Sequence, residues 1–285
     1  MISSAKRMAA MSLLVAVKML LVAVPSAASS ESPGEIMRKA GLADHYSGDD
    51  RQSRVAMLIY YDPSQKPAKK IFRFLKRDLE EGGRQQFYVY FTQPTDIRRT
   101  ALLVHKYVDR DDLRRLYLPA SDSVLMISGK QKQCPFMGSD FSAEDFTGRH
   151  YAKDRHLLVE ETELTVNAKK GPVVYGVWVI ESFPRKFEEK TSKTKTWIDR
   201  KTYLPLRMEY YNHHKELYKL YEAHSIKEIG GYPTVTKKVM TSPLEGTRTI
   251  LFLDEKNTRY DVGISASVFT EGSLKNPPQE VLQVE

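Results

Sequence analysis

From Arg54 to Leu253 the chain is cut into short runs of β-branched, aromatic and aliphatic residues, each closed by a polar turn. The runs cover residues 54–61, 69–76, 85–91, 101–108, 113–118, 124–128, 157–166, 173–180, 194–199, 206–211, 217–224, 234–240 and 247–253. This spacing suits strands joined by short turns, and an antiparallel meander rather than alternating strand–helix units. Pro119, Pro172, Pro184, Pro205 and Pro233 fall at or near run ends and interrupt no central strand. Ahead of the runs, residues 33–45 read as one helix. Pro33 sits in its first turn, Ile36, Met37, Ala40 and Leu42 form an apolar side, and Gly41 weakens its end. The expected fold is mainly β, a single antiparallel body with a few appended helices.

Several runs are apolar on both faces. Phe72 and Phe74 share one side of their strand while Ile71 and Leu75 share the other. Phe87, Val89 and Phe91 alternate with Tyr88 and Tyr90, and Tyr175, Val177 and Val179 oppose Gly176, Trp178 and Ile180. A sheet with one wet face would alternate apolar and polar residues more cleanly. Either helices pack over an ordinary sheet, or the inner side encloses a cavity that holds a lipid. Tyrosine is the commonest aromatic, 16 against 11 Phe and 2 Trp, and its apolar body with a polar tip suits the rim of such a cavity.

The first residues differ in kind. Lys6 and Arg7 precede a nearly all-apolar stretch from Met8 to Val24, broken by Ser12 and Lys18, and Pro25, Ser26, Ala27 and Ala28 follow as small residues. This is the order of a secretory signal, with cleavage expected after Ala28 and a mature domain over residues 29–285. Lys18 inside the apolar stretch argues against a membrane anchor. Loss of Lys6, Arg7 and Lys18, with no acid, lowers the net charge by three from +8. The remaining excess is spread along the chain, so no nucleic-acid partner is expected. The single cysteine, Cys134, excludes a disulfide scaffold and a cysteine-built metal centre. No cofactor or metal is expected.

Residues 133–146 are unusual. They pack Phe136, Met137, Phe141 and Phe146 into a polar, turn-rich stretch in which Ser139 or Asp140 caps a short helix. Such a segment is costly to expose and is expected to lie across the mouth or wall of the sheet, as a lid or as a connection that closes the core.

The same region carries a resemblance. Gln93-Pro94-Thr95-Asp96-Ile97-Arg98-Arg99-Thr100-Ala101-Leu102 resembles the P-x-D-hydrophobic-basic-G-T-A-x-L stretch of the outer-membrane lipoprotein-sorting protein family. Leu116-Tyr117-Leu118-Pro119-Ala120, Ile127-Ser128-Gly129 and Phe136-Met137-Gly138-Ser139-Asp140-Phe141 follow in that family's order. Trp197-Ile198-Asp199, Leu204-Pro205 and Arg207-Met208-Glu209-Tyr210-Tyr211 are similar to its later signature. Arg99 stands where the family usually has Gly, and Ala143 where an aromatic is common.

The resemblance implies a strongly curved, unclosed antiparallel β-barrel capped by helices, with an apolar hollow that accepts acyl chains. It implies a periplasmic carrier of lipoproteins or lipids, moving them toward the outer membrane beside an inner-membrane exporter of the resistance–nodulation–division type and touching membranes transiently. On that reading Met57, Ile59, Phe72, Phe74, Val89, Phe91, Leu103, Val177 and Trp178 line the hollow. Phe136, Met137, Phe141 and Phe146 form the cover. Arg98 and Arg99 hold the cover through backbone carbonyls, meet an anionic headgroup, or stand solvated. Burial of a methylene is worth ~0.8 kcal/mol, so a sixteen-carbon chain in water is penalised by about 12 kcal/mol, most of which a carrier must offset with a dry hollow.

No G-x-S-x-G, H-E-x-x-H, P-loop or G-x-G-x-x-G motif is present. Asp140, Glu144 and Asp145 form the best acidic cluster, yet no nucleophile or base accompanies them, so no enzyme is expected. A lipid-sensing envelope regulator or adaptor on the same scaffold is the first alternative, and a secreted hydrolase the second.

Overall fold

The computed structural model describes residues 31–168, 171–188 and 190–282. The expected secretory signal and its cleavage point lie outside them. The helix read from the sequence is present as α1 (Pro33–His45), and the hydroxyl of its N-cap Ser32 accepts the Glu35 N–H at 3.2 Å. Thirteen antiparallel strands follow. They are β1 (Asp50–Tyr60), β2 (Ala68–Asp78), β3 (Gln85–Gln93), β4 (Ala101–Lys106), β5 (Leu113–Leu118), β6 (Ser123–Met126), β7 (Asp154–Ala168), β8 (Gly171–Pro184), β9 (Lys193–Asp199), β10 (Pro205–Tyr211), β11 (Leu217–Ile229), β12 (Tyr232–Ser242) and β13 (Thr247–Tyr260). Each run in the sequence occupies the body of one strand. The strands extend further where polar residues continue the ladder, as β1 does back through Arg51 and Ser53 and β13 does forward to Tyr260.

All thirteen belong to one sheet, ordered β6-β5-β4-β3-β2-β1-β13-β12-β11-β10-β9-β8-β7. Strand β1 pairs with both β2 and β13, so the first and last strands meet in mid-sheet while β6 and β7 remain as edges. Among the described residues no ladder joins those edges, and the sheet is a curved, unclosed barrel. Bulges between Ser53 and Val55, between Leu158 and Glu160, and along β11–β12 bend the strands locally.

The double-sided strands have two separate explanations. Val55, Met57, Ile59, Phe72, Phe74, Val89, Phe91, Leu102 and Val104 face one way and form a single buried cluster on the concave side. Leu75, Tyr88, Tyr90 and Leu103 face the other way and lie beneath the C-terminal segment through Ile264, Val268, Phe269, Leu274 and Val281. That segment contains α3 (Gly272–Lys275) and α4 (Gln279–Leu282). Tyr88 donates its hydroxyl to the Ser273 carbonyl at 2.6 Å, and the Asp50 carboxylate accepts the N–H groups of Val262 and Ile264 at 2.9 and 2.8 Å. Leu103, expected in the hollow, is therefore on the wrong side. Strand alternation sends Leu102 and Val104 inward and turns Leu103 out beneath the C-terminal cover. Among the described residues no helix is long and apolar enough to cross a membrane.

Candidate functional site

A cavity of about 180 Å³ lies between the concave face, α1 and the segment around residues 133–149. Its apolar lining includes Met37 and Ala40 of α1, Val55, Phe72 and Phe74 of β1 and β2, Met208 and Tyr210 of β10, and Leu251 and Leu253 of β13. Helix α1 plugs one side, where Ile36 and Ala40 pack with Trp178, Ile180 and Ile198.

The cover consists of a 3-10 turn at Phe136–Gly138 and the short α2 (Ala143–Thr147). A reciprocal cap forms α2: the Ser142 hydroxyl accepts the Asp145 N–H at 3.3 Å and the Asp145 carboxylate accepts the Ser142 N–H at 2.7 Å. This turns the phenylalanines onto the sheet. The Phe146 ring lies 6.0, 6.5, 5.6 and 5.7 Å from those of Phe72, Phe74, Phe136 and Phe141. Phe136 and Phe141 are buried, and Met137 packs against the same cluster.

Polar latches tie the cover to the sheet. The Asp140 carboxylate accepts hydroxyl hydrogen bonds from Ser242 at 2.6 Å, Thr247 at 2.5 Å and Thr249 at 2.6 Å, all on β12 and β13. Lys219 of β11 donates to both oxygens of Asp145 at 2.9 Å. Burial alone would lower the Lys219 ammonium, but the facing Asp145 carboxylate outweighs it and the ammonium is held above its ordinary value. Glu144 lies 3.2 Å from Lys132 and 3.6 Å from Arg149. The three acids are therefore distributed among separate partners rather than converging on one reacting position. Asp140→Ala should leave three hydroxyls without their acceptor and lower the unfolding free energy by about 2–3 kcal/mol, measured by denaturant titration. An unchanged midpoint would show that the latch carries no energy.

Beside His45, which lines the cavity, a polar network outside the lining fastens α1 and α2 to the sheet. Lys106 donates to the Thr147 carbonyl of α2 at 2.7 Å and to Gln85 at 3.3 Å. Gln85 donates to the His45 carbonyl at 2.9 Å and to Asp78 at 2.8 Å, and Lys76 donates to Asp78 at 2.9 Å. Burial pulls the Lys76 and Lys106 ammonium groups down to about 8. The Asp44 carboxylate of α1 accepts from Lys238 at 2.9 Å and lies 3.2 Å from His45. Burial would raise this carboxyl, but Lys238 outweighs it and holds Asp44 well below the usual range, while burial drives the His45 imidazole down to about 3. Gly148, with φ of 74°, closes α2 where an added Cβ would come within 2.5 Å of the His45 ring.

The structure brings Met57, Ile59, Phe72, Phe74, Val89 and Phe91 into one cluster with the cover. Phe72 and Phe74 reach the cavity wall; the other four pack behind it. Val177 and Trp178 separate: Val177 joins the large cluster, while Trp178 joins the one beneath α1 and lies 5.3 Å from the Tyr203 ring. Of the three readings of Arg98 and Arg99, the exposed positions fit solvated side chains rather than a hold on the cover. Both are exposed at the strand-to-strand connection, and the bonds to cover carbonyls are made by Lys70, which donates to Met137, and by Lys106, which donates to Thr147. Arg99 has φ of 72°, the left-handed conformation that explains the family's glycine there. Arg99→Gly should raise the unfolding free energy by about 0.5–1 kcal/mol, read from the thermal midpoint.

Sequence reasoning missed most of the cavity's polar lining and its far wall: Asp44, His45, Arg51, Ser53, Thr196, Tyr221, Lys238 and Met240. The one signal available was polar residues in register with apolar neighbours on the inward side of β1 and β12. Cys134 is exposed. Among the described residues no group of three His, Cys, Asp or Glu side chains is placed to hold a metal ion.

An open curved sheet, a plugging helix and a latched aromatic cover around a cavity define the class of the lipoprotein-carrier-like folds. The profile of a family described as "uncharacterized protein" matches residues 83–276, and the chain belongs to that family. It is similar to a DUF1329 family protein from Desulfovibrio piger, with 28% identity, a TM-score of 0.74, and coverage of 85% of this chain and 97% of that one. It is similar to a candidate outer membrane lipoprotein-sorting protein domain from Vibrio parahaemolyticus, with 26% identity, a TM-score of 0.75, and 85% and 98% coverage. A LolA superfamily protein from Nitrosomonas europaea shares the fold at 15% identity and a TM-score of 0.62, over 85% of this chain and 99% of that one. No curated protein matches in sequence.

Proposed function

We propose that this protein is a periplasmic carrier that holds the acyl chains of lipoproteins or lipids in the cavity and moves them toward the outer membrane. The observation that carries the reading is the cavity itself, walled by Phe72, Phe74, Met208, Met240 and Leu251 and roofed by Phe141 and Phe146. At about 180 Å³ it exceeds the ~150 Å³ apolar cavity that takes up benzene in an engineered protein. A segment of chain enters with the cover closed, and a longer chain requires the cover to lift from its Asp140 and Asp145 latches. Cleavage after Ala28, a domain over residues 29–285 and delivery by an inner-membrane exporter of the resistance–nodulation–division type belong to the same proposal. Purification from a native host should return a protein whose organic extract contains acyl species by mass spectrometry. Repeated preparations without any bound acyl species would overturn the carrier.

A further inference from the structure

Three large apolar side chains stand in water at one end of the barrel. Phe187 in the β8–β9 connection is 79% exposed, Leu244 in the β12–β13 turn 60%, and Tyr61 in the β1–β2 turn 56%. The register places these connections at the same end, together with the β10–β11 turn. Tyr60 is opposite Arg248, and Thr241 is opposite both Arg248 and Leu220. Tyr211 is opposite both Leu217 and Lys193, and Ser182 is opposite Thr194. The four connections are therefore neighbours along one rim. The Phe187 ring stacks on His213 of the β10–β11 turn at 5.0 Å, and the His213 imidazole donates to the Glu188 carbonyl at 2.8 Å, which holds the most exposed tip in place.

Lysines are interleaved with these tips. Lys186 and Lys190 flank Phe187, Lys215 lies in the β10–β11 turn and Lys66 in the β1–β2 turn; all four are exposed, and among the described residues none has an ion-pair partner. Of the acids on the same rim, Glu188 faces Lys132 and Arg149 at 3.3 and 3.0 Å, Glu216 accepts from Asn212 at 2.9 Å, and Asp62 accepts from Ser64 within its own turn at 2.8 Å, while Glu245 is exposed. A protein-binding surface gathers its apolar residues into one patch. Single apolar tips on separate turns, with lysines between them, instead match the boundary of a bilayer, where acyl chains lie just beneath a layer of phosphates.

The rim also frames an opening. A second cavity, of about 360 Å³, is lined by one residue from each of the four connections: Tyr61, Lys190, Asn212 and Leu244. It shares Gln133, Tyr218 and Lys219 with the first cavity, so these three residues stand between the two. We propose that this rim is a membrane-docking face: Phe187, Leu244 and Tyr61 enter the headgroup region of a bilayer, and Lys66, Lys186, Lys190 and Lys215 meet the phosphates of anionic lipids. The inference rests on the carrier reading in one respect, that the docked rim sets the outer cavity against a source of acyl chains; the docking itself needs no cargo.

The test is co-sedimentation of the protein, purified from a native host, with vesicles of phosphatidylcholine alone and of a phosphatidylcholine–phosphatidylglycerol mixture. Binding to the mixture should be about a hundredfold tighter, the summed effect of several lysines at an anionic surface, and should weaken as salt is added. The Lys186→Gln/Lys190→Gln/Lys215→Gln variant should reduce that preference to about tenfold or less. The Phe187→Ser/Leu244→Ser variant should weaken binding to both kinds of vesicle by about tenfold or more, with an unchanged circular dichroism spectrum because both side chains are exposed. Val174→Ser, an exposed apolar position near the opposite end of the barrel, should bind like the parent. No binding to the mixture, or undiminished binding by the Phe187/Leu244 variant, would overturn the docking face. Binding only to native membrane vesicles, lost once their proteins are digested with trypsin, would assign the rim to a membrane protein and overturn it too. Vesicle binding by a protein whose organic extract holds no acyl species would remove the carrier and leave the docking face standing.

Discussion

Phe72→Ala is expected to lower the unfolding free energy by about 3–5 kcal/mol, the cost of a buried Phe truncated in a tight core. The Phe72 side chain is fully buried, stands opposite Val55 on β1 and Phe91 on β3, and has ring neighbours in Phe91 at 5.2 Å and Phe146 at 6.0 Å. It is also one of the points where sheet, cover and cavity meet, so the loss appears twice. The void left by the ring opens into the existing cavity, and the cover loses one of the surfaces on which Phe146 rests. Guanidinium unfolding followed by far-ultraviolet circular dichroism measures the first effect. Phe72→Leu, which keeps most of the volume, should cost less than about 2 kcal/mol. An alanine variant within 1 kcal/mol of the parent would mean that the cover collapses into the space, and the cavity would then not be a fixed feature of the fold.

The second large effect is acid sensitivity. The His45 imidazole is lowered to about 3 by burial, against an ordinary value near ~6.5 in an unfolded chain. Between those values the unfolded chain binds the proton and the folded chain does not, so stability rises with pH across the interval and is lost as pH falls. From pH 7 to pH 4 this one group should withdraw about 3 kcal/mol, at 1.36 kcal/mol per unit. Asp44, also held below its ordinary value once Lys238 outweighs burial, adds to the loss at the lower end of the range. Denaturant midpoints measured at half-unit steps of pH should show this slope, and His45→Gln should flatten it. A parent protein with no slope between pH 6.5 and 4 would overturn the assignment of a buried neutral imidazole. On the alkaline side the sign is the same for Lys76 and Lys106. Each is lowered to about 8 by burial, so the unfolded chain holds the extra proton up to ~10.4 and stability rises through that window.

Both effects arise where α1, α2 and the sheet converge. His45 ends α1, its carbonyl accepts from Gln85, and its ring is packed against Gly148 at the end of α2. Lys106 joins the same Gln85 to the carbonyl of Thr147. One end of the cover is thus fastened through groups whose charge depends on burial, and the other through the hydroxyls that surround Asp140.

Strand identity was legible because short runs rich in β-branched, aromatic and aliphatic residues recur, and turn residues punctuate the runs. Helix α1 was legible from Pro33 and the apolar spacing that follows, while its Ser32 cap emerged only in the structure. The cover was legible because four large apolar side chains in a polar loop have few places to go. Leu103 was misplaced for an equally physical reason. Both faces of β4 are apolar, and alternation alone does not say which face a distant C-terminal segment will cover. Arg98 and Arg99 stayed undecided because a basic pair beside a turn gives charge without direction, and backbone strain at Arg99, not charge, distinguishes the site.

The amino-acid sequence by itself determined the antiparallel class, the number and order of the strands, the leading helix and the existence of an aromatic cover, since all of these rest on local periodicity and turn chemistry. Tertiary structure alone decided which face is concave, that β1 pairs with β13 so that both sheet edges stay open, and that Arg51, Ser53, Thr196 and Tyr221 share one cavity. Those facts depend on strand pairing between residues more than two hundred positions apart, as in Arg51 opposite Tyr260, and no window of local sequence contains both partners.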